Sequence, residues 1–129
     1  MIQTRSVHTE PDPTDGLRIL VTRFRGRGLP KDRYDVWMAS LGPSESLLRA
    51  LQDRKITWTE FKRRYQAELF QSDRIDEQNP TIKNHGQKFT LRLLREMAKR
   101  ETLTLLCHCA EEEKQCHRHL LKALLERDI

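Results

Sequence analysis

The chain has 129 residues, of which 36% are hydrophobic and 33% are charged, and its formal net charge is +5. A chain of this length fits one domain that buries roughly two-thirds of its unfolded surface. The sequence contains no apolar run approaching the roughly 18 residues of a membrane span, and its first residues lack the apolar core of a signal peptide. Three cysteines, an odd number, argue against a secreted disulfide framework, so we expect a cytoplasmic protein.

The positive charge is concentrated in one segment. Residues 17–33 contain six cations and a single anion, Asp32, and therefore carry a net charge of +5, so that the remaining residues sum to zero. A basic loop on an otherwise balanced chain favours a local anion site over a nucleic-acid surface that extends along the whole chain. Charge alone leaves a solvated, charged turn as the alternative.

The first forty residues predict two strands and a helix. Residues 1–7 are a possible strand, and a turn-rich connector follows it. Residues 17–24 are apolar and β-branched at their centre, which predicts a second strand. The segment FRGRGLPKDR after it predicts a loop in which glycine permits close approach of the backbone to a ligand. We interpret residues 34–41 as helical.

The middle of the chain predicts two amphipathic helices and an exposed excursion. Ser44 is the candidate N-cap of the first helix, and Thr57 or Thr59 is that of the second. In the second helix Trp58 and the following aromatic residues recur at helical spacing, and we interpret these residues and Trp37 as core aromatics. Residues 72–88 are polar and contain proline and glycine, which predicts an exposed segment.

The last third predicts a helix, a strand and a final helix. Residues 89–101 have apolar positions in helical register. Residues 102–109 form a nearly continuous apolar run, typical of a central strand that is covered on both faces. A short acidic loop then leads to a helix that begins near Cys116. Strands separated by helices predict a single α/β domain, residues 1–129, with a small, mainly parallel sheet flanked by helices and an exposed insertion at 72–88.

Four segments of the chain, in this order, resemble the YeaO-like family, a bacterial and archaeal family of unknown function. They are DGLRILVTRFRGRGLPKD, the region of Trp37 with LGPSESLL, FKRRYQAEL, and the C-terminal TLLC with CHRHLL. The resemblance extends over almost the whole chain from about residue 2, apart from the insertion. It implies a small cytoplasmic α/β domain and no established activity.

The resemblance also assigns the family's motif residues to positions in this chain. These positions are Arg23, Arg27-Gly28, Trp37, Arg64-Tyr65, Cys107 and Cys116-His117-Arg118. The chain departs from its relatives in two loops. Arg25-Gly26 replaces an aromatic-proline pair, and His108-Cys109 separate the strand cysteine from the nearest acid, Glu111.

The predicted site lies where the strands end. Carboxyl ends of parallel strands share one edge, and ligands bind in the crevice there. The opening turn of the last helix adds unpaired N–H groups and the positive end of the helix dipole, which favour a phosphate or nucleotide-like anion. The same electric field lowers the pKa of a thiol. We therefore predict Cys116 and His117 as candidate catalytic residues, and as ligand-binding residues Arg23, Arg27, Gly28, Arg118 and Cys107.

A structural role for these residues remains open. A cysteine at a helix start can simply pack, and an inward histidine is often a hydrogen-bonded core residue. Spacing from the apolar stripe of the last helix places His117 inward and Arg118 and His119 sideways and outward. Arg23 is as consistent with a structural pair as with a ligand contact, and Arg64 by default pairs with a glutamate of its own helix.

We assign no metal ligand and no cofactor. Strand alternation puts Cys107 and Cys109 on one face and His108 on the other, so the three cannot all point at one ion. Cys107 and Cys109 are about 6.6 Å apart along a regular strand, which is too far for easy joint ligation. A zinc site would need Cys109, Cys116 and a histidine to converge.

Three functions compete at this point. The first is an enzyme or regulator that binds a small phosphorylated or nucleotide-like ligand. The second is a non-catalytic nucleic-acid or protein-binding module that uses the basic loop at 23–33 through Arg25, Arg27, Lys31 and Arg33, although the sequence has no nucleic-acid-binding signature. The third is a metal-binding or redox-sensing role for Cys109 and Cys116.

Overall fold

The computed structural model describes residues 1–127 as an α/β domain built on a four-stranded sheet in which every pair of neighbouring strands is parallel. Its strands are β1 (Ile2–Ser6), β2 (Leu17–Leu20), β3 (Val36–Trp37) and β6 (Leu103–Cys107), in the spatial order β1-β6-β2-β3. A separate antiparallel hairpin contains β4 (Arg74–Asp76) and β5 (Asn79–Lys83). The helices are α1 (Glu45–Gln52), α2 (Trp58–Leu69), α3 (Lys88–Ala98) and α4 (His117–Leu125). This architecture confirms the predicted fold class.

Strand β6 is the central element of the sheet. All five of its residues are buried, and it pairs with β1 on one side and with β2 on the other. Its side chains alternate as predicted: Leu103 and Leu105 join the main core, whereas Leu106 joins a smaller cluster on the opposite face. The apolar run therefore reflects burial on both faces, because neither side of this strand meets solvent.

The four helices of the sheet domain contribute one face each to the main core. Buried side chains on them include Leu47, Phe61, Leu91 and Leu121. Two predicted N-caps are confirmed: the Ser44 hydroxyl accepts the Leu47 N–H at 3.3 Å, and the Thr57 hydroxyl accepts the Glu60 N–H at 3.1 Å. Each cap satisfies one backbone donor that the first helical turn leaves without a partner.

The predicted helix at 34–41 is wrong. This segment contains the short edge strand β3 and then a 3-10 turn, Ala39–Leu41. The Asp35 N–H donates to the Arg18 carbonyl at 2.8 Å, which begins the pairing of this segment with β2. This N–H therefore cannot form a hydrogen bond within a helix. Trp37, expected in the core, is 42% exposed on this edge, and its indole N–H donates to the Thr22 carbonyl at 2.7 Å.

The polar segment at 72–88 leaves the body of the domain as a hairpin. The residues of β4 and β5 are exposed except for the half-buried Asn79. At its base the Asn84 N–H donates to the Asp73 carbonyl at 3.0 Å, so the two ends of the hairpin are neighbours. Within residues 1–127 no helix is both long enough and apolar enough to cross a bilayer.

Candidate functional site

A cleft of about 340 Å³ opens at the carboxyl edge of the sheet. It lies where the chain leaves β2, where it leaves β6 and where α4 begins. Its lining residues are Thr22, Arg23, Phe24, Pro43, Leu48, Gln52, Cys107, His108, Cys109 and His117. Because β2 and β6 are adjacent and parallel, segments more than eighty residues apart in sequence line one crevice.

All three cysteines of the chain converge beside this cleft. Their Sγ atoms all lie within 4.8 Å of one another, and the Sγ atoms of Cys107 and Cys116 are 2.9 Å apart. The expectation that Cys107 and Cys109 are too far apart to act together is wrong. Strand β6 ends at Cys107 and the chain bends at the next two residues, which returns the Cys109 N–H to Cys107 Sγ at 3.3 Å.

Arg118 lies beneath this bend. It was predicted to point outward, yet its side chain is fully buried. Nη1 donates to Cys107 Sγ at 3.0 Å and to the Cys109 carbonyl at 3.3 Å. Nη2 donates to the carbonyls of Ala110 and Glu111, both at 3.0 Å. The loop after β6 thus folds over the guanidinium group, which buries a residue that helical spacing alone places at the side of α4.

The charge of Arg118 needs a negative partner. An arginine stays protonated in proteins, and burying its charge is costly unless another charge compensates for it. Among the residues that the structure describes, no carboxylate lies within ion-pair distance of Arg118. The ionisable group that it contacts is Cys107, within the cysteine cluster. A negative charge on this cluster would balance the buried cation.

Hydrogen bonds among the thiols of the cluster lower the pKa of one cysteine and raise the pKa values of the other two. Hydrogen bonds from the Cys107 and Cys116 thiols lower the pKa of the Cys109 thiol well below its usual range. Donating these bonds raises the pKa of Cys107 to about 11 and also raises the pKa of Cys116. Cys109 is half-buried and lines the cleft, whereas Cys116 is buried and lies outside the cleft lining. Cys109 is therefore the half-buried thiol of the cluster and the one whose pKa is lowered, and the sequence analysis did not include it among the catalytic candidates.

His117 points inward, as predicted, and is only 6% exposed. Its Nε2 lies 2.5 Å from the Val21 carbonyl oxygen, to which it donates a hydrogen bond. Its Nδ1 lies 3.9 Å from Cys116 Sγ, and the ring packs edge-on against Tyr65 with centroids 5.8 Å apart. Burial lowers the pKa of His117 to about 4, so the imidazole is neutral at pH 7.

Arg23 is the guanidinium group that borders the cleft. Nη2 donates to the Gly42 carbonyl at 2.8 Å and Nε donates to the Pro43 carbonyl at 3.4 Å. Nη1 makes no hydrogen bond to any residue in the described part of the chain. Arg23 also lines a second, larger cavity of about 560 Å³ that reaches to the base of the hairpin. Two nitrogen atoms of Arg23 are therefore bonded to backbone carbonyls, and Nη1 remains available to a ligand.

The glycine-rich loop approaches the site through different residues from those predicted. Arg27 and Gly28 are exposed and do not line the cleft. Instead the Phe24 carbonyl lies 3.3 Å from His108 Nε2. Gly26, with a φ of 94°, packs so closely that a Cβ atom there would lie 2.5 Å from His108 Cε1. The positive φ and the close contact with His108 both favour glycine at position 26.

Arg25 and Arg33 of the basic loop also have structural partners. Arg25 Nε donates to the Tyr34 hydroxyl at 2.6 Å, and Arg33 pairs with Glu10 at 3.0 Å. Outside this loop, Arg64 pairs with Glu60 at 2.8 Å, which confirms the expected ion pair within one helix. Much of the basic loop's hydrogen-bonding capacity is therefore used within the domain.

Comparison with known proteins places the chain among uncharacterised relatives. Residues 2–128 match the family model DUF488-N3a, described as "Active DUF488-N3 subclade". The chain is 30% identical over 118 residues to the uncharacterized protein YeaO of Escherichia coli K12, which covers 90% of this chain and 89% of that protein. It is 33% identical over 78 residues to the uncharacterized protein Rv3073c of Mycobacterium tuberculosis, covering 59% of this chain and 66% of that protein. No solved structure matches.

Proposed function

We propose a function for this chain, which belongs to the YeaO-like DUF488 family. The cleft binds a small ligand with an anionic group and presents it to the Cys109 thiolate. Arg23 holds the anionic group of the ligand. Cys109 then attacks an electrophilic atom of the same ligand, so the protein is a thiol-dependent enzyme. Such a thiolate persists in a reducing compartment, and we therefore propose the cytoplasm as its location.

One observation supports this proposal above the others: Arg23 and Cys109 line the same cleft. Its volume of about 340 Å³ falls at the lower end of the range found for small-molecule sites and suits a compact ligand. The lining combines apolar side chains such as Phe24 and Leu48 with polar side chains, of which Arg23 carries a fixed charge. That composition favours a ligand with a small apolar body and one charged group.

The groups around Cys109 suit a nucleophilic displacement. The thiolate forms a bond to the electrophilic atom, and the bond from that atom to the leaving group breaks with its electron pair, after which water protonates the leaving group. Attack by a second water on the covalent intermediate releases the product and restores the thiolate. Arg118 supports the negative charge before and after the reaction, while neutral His117 keeps α4 aligned with β2 through the Val21 carbonyl.

A pair of alkylating agents tests the proposal without knowledge of the natural ligand. Iodoacetate carries a carboxylate that Arg23 can hold, whereas iodoacetamide is neutral. The measurement is the ratio of the two rate constants for alkylation of Cys109, followed by peptide mass mapping at one pH. We expect Arg23→Gln to lower the iodoacetate-to-iodoacetamide ratio about tenfold, because a hydrogen bond to a charged group contributes about 1.5 kcal/mol.

Two control variants define the outcome. Lys31→Gln removes a cation from the exposed part of the same loop and should leave the ratio within about twofold, since an exposed charge at longer range is screened. Cys109→Ser should abolish the fast reaction with both agents. If Arg23→Gln and Lys31→Gln give the same ratio, the cleft does not recruit anions through Arg23 and the proposal is wrong.

A further inference from the structure

We infer that Cys107, Cys109 and Cys116 together bind one Zn²⁺ ion. Thiolate sulfur is the ligand type that zinc accepts in tetrahedral sites, and these are all the cysteines of the chain. This inference goes beyond the proposed function because it requires no ligand in the cleft. It gives the cysteine cluster a second state in which its sulfur atoms are metal ligands.

The distances in the cluster match a site that closes around an ion. A tetrahedral zinc ion with Zn–S bonds of about 2.3 Å holds its sulfur atoms about 3.8 Å apart. The three Sγ atoms here all lie within 4.8 Å, and the closest pair is 2.9 Å apart, so the required separation falls inside the observed span.

The three ligands come from three different local structures. Cys107 is the last residue of β6, Cys109 lies in the bend after it, and Cys116 is the N-cap of α4. Strand and helix hold two of the sulfur atoms in the core, while the bend supplies the third at the cleft. The fold thus brings the three sulfur atoms together before any metal binds.

The electrostatic environment also suits a zinc–thiolate group. Three thiolates and one Zn²⁺ ion carry a net charge of −1. The buried guanidinium group of Arg118 compensates this charge, and its Nη1 donates to Cys107 Sγ at 3.0 Å. The Cys109 N–H donates to the same sulfur at 3.3 Å. Hydrogen bonds of this kind orient and tune metal ligands.

Zinc binding has a consequence for the reactivity of the site. The sulfur of Cys109 becomes a metal ligand, so the ion masks the nucleophile of the proposed reaction. Only three protein ligands are present in the cluster, and Cys107 and Cys109 line the cleft, so the fourth coordination position is available to water or to an anion from the cleft. Bound zinc therefore inhibits the thiol chemistry.

Cobalt titration tests this inference directly. Reduced, metal-free protein is titrated with Co²⁺, which reports thiolate ligands by a sulfur-to-cobalt charge-transfer band and tetrahedral geometry by intense d–d bands. We expect one ion per chain, displacement of Co²⁺ by Zn²⁺, and release of protons as the remaining thiols ionise. We also expect bound Zn²⁺ to slow alkylation of Cys109 by iodoacetamide at least tenfold.

Matched variants separate metal ligation from a general effect on the loop. Cys109→Ser changes the half-buried ligand and should weaken Co²⁺ binding at least about tenfold. Glu112→Gln changes an exposed acid in the same loop and should leave the affinity unchanged. Circular dichroism of both variants establishes that each is folded before the affinities are compared.

The outcomes distinguish this inference from the proposed function. Absence of the charge-transfer band in reduced, folded protein overturns the zinc site, as does an unchanged Co²⁺ affinity in Cys109→Ser. Neither result affects the Arg23-dependent alkylation ratio. Conversely, a cobalt spectrum with thiolate bands upholds the metal site even if the alkylation ratio shows no dependence on Arg23.

Discussion

At the scale of single residues, Arg118 connects the fold to the chemistry of the cluster. Its guanidinium group holds the loop after β6 through three backbone carbonyls and contacts the sulfur of Cys107. Helical spacing correctly predicted that His117 points inward. It could not predict the burial of Arg118, because the loop that covers Arg118 is outside the helix and follows no periodic pattern. The same loop carries Cys109, whose approach to Cys107 the sequence analysis also missed.

Replacing Arg118 with methionine should destabilise the protein by about 3 kcal/mol. The variant keeps the apolar stem but removes the cation, which leaves the buried sulfur of Cys107 and three backbone carbonyls without their donor. Urea unfolding of the metal-free protein at pH 8 measures the effect. Arg49→Met, which removes an exposed cation paired with Glu45, should leave the urea midpoint nearly unchanged. Equal midpoints for the two variants would show that Arg118 has no special structural role.

His117 should make the stability of the metal-free protein depend on pH. Its pKa is about 4 in the folded state because burial disfavours the charged ring, whereas an unfolded histidine has a pKa near 6.5. The unfolded chain therefore binds the proton first as the pH falls. The stabilising contribution is complete above pH 6.5 and is lost progressively towards pH 4, at about 1 kcal/mol between pH 6.5 and pH 5.5.

The comparison of two unfolding series tests this pH dependence. Chemical unfolding of the chelator-treated protein at pH 6.5 and pH 5.5 gives the difference for the unmodified chain. His117→Gln has no titrating ring and should show a smaller difference, even though the variant is less stable at both values. Identical differences in the two proteins would mean that His117 does not remain neutral in the fold.

At the scale of elements, burial determines how clearly the sequence predicts a strand. Strand β6 was predictable because both of its faces are covered, so its residues are almost uniformly apolar. Strand β3 was missed because it has two residues, both exposed at the edge of the sheet, which carry no alternating pattern. Cys109 was misplaced for a related reason. The strand was assumed to continue with regular alternation, whereas it ends at Cys107 and the chain bends.

The hairpin of β4 and β5 should be removable. Its residues are almost all exposed, and its ends are joined by the hydrogen bond from the Asn84 N–H to the Asp73 carbonyl. Replacing residues 74–83 with a two-residue Asn-Gly turn should change the free energy of unfolding by less than about 1 kcal/mol, because few contacts with the core are lost. Urea unfolding measures this change.

The same variant examines the extent of the proposed site. The iodoacetate-to-iodoacetamide ratio for Cys109 should be unaffected, since no residue of the deleted segment lines the cysteine cleft. A large fall in that ratio would extend the site to the hairpin, through the larger cavity that Arg23 also borders.

At the scale of the whole molecule, the strand order makes the site possible. Strand β6 comes last in the chain and inserts between β1 and β2, which places the residues after Cys107 beside the residues after Leu20. The pattern of strands and helices predicted a parallel sheet, and the resemblance to a family supported it. Neither specifies which strands are adjacent, because the order depends on packing among segments far apart in sequence.

The most direct test of this arrangement is a crystal structure of the protein after alkylation with iodoacetate. Our account predicts a carboxymethyl group on Cys109 that lies in the cleft, with its carboxylate hydrogen-bonded to the Arg23 guanidinium group. An adduct on Cys109 whose carboxylate points into solvent, away from Arg23, would contradict the account. So would modification of Cys107 or Cys116 while Cys109 remains free.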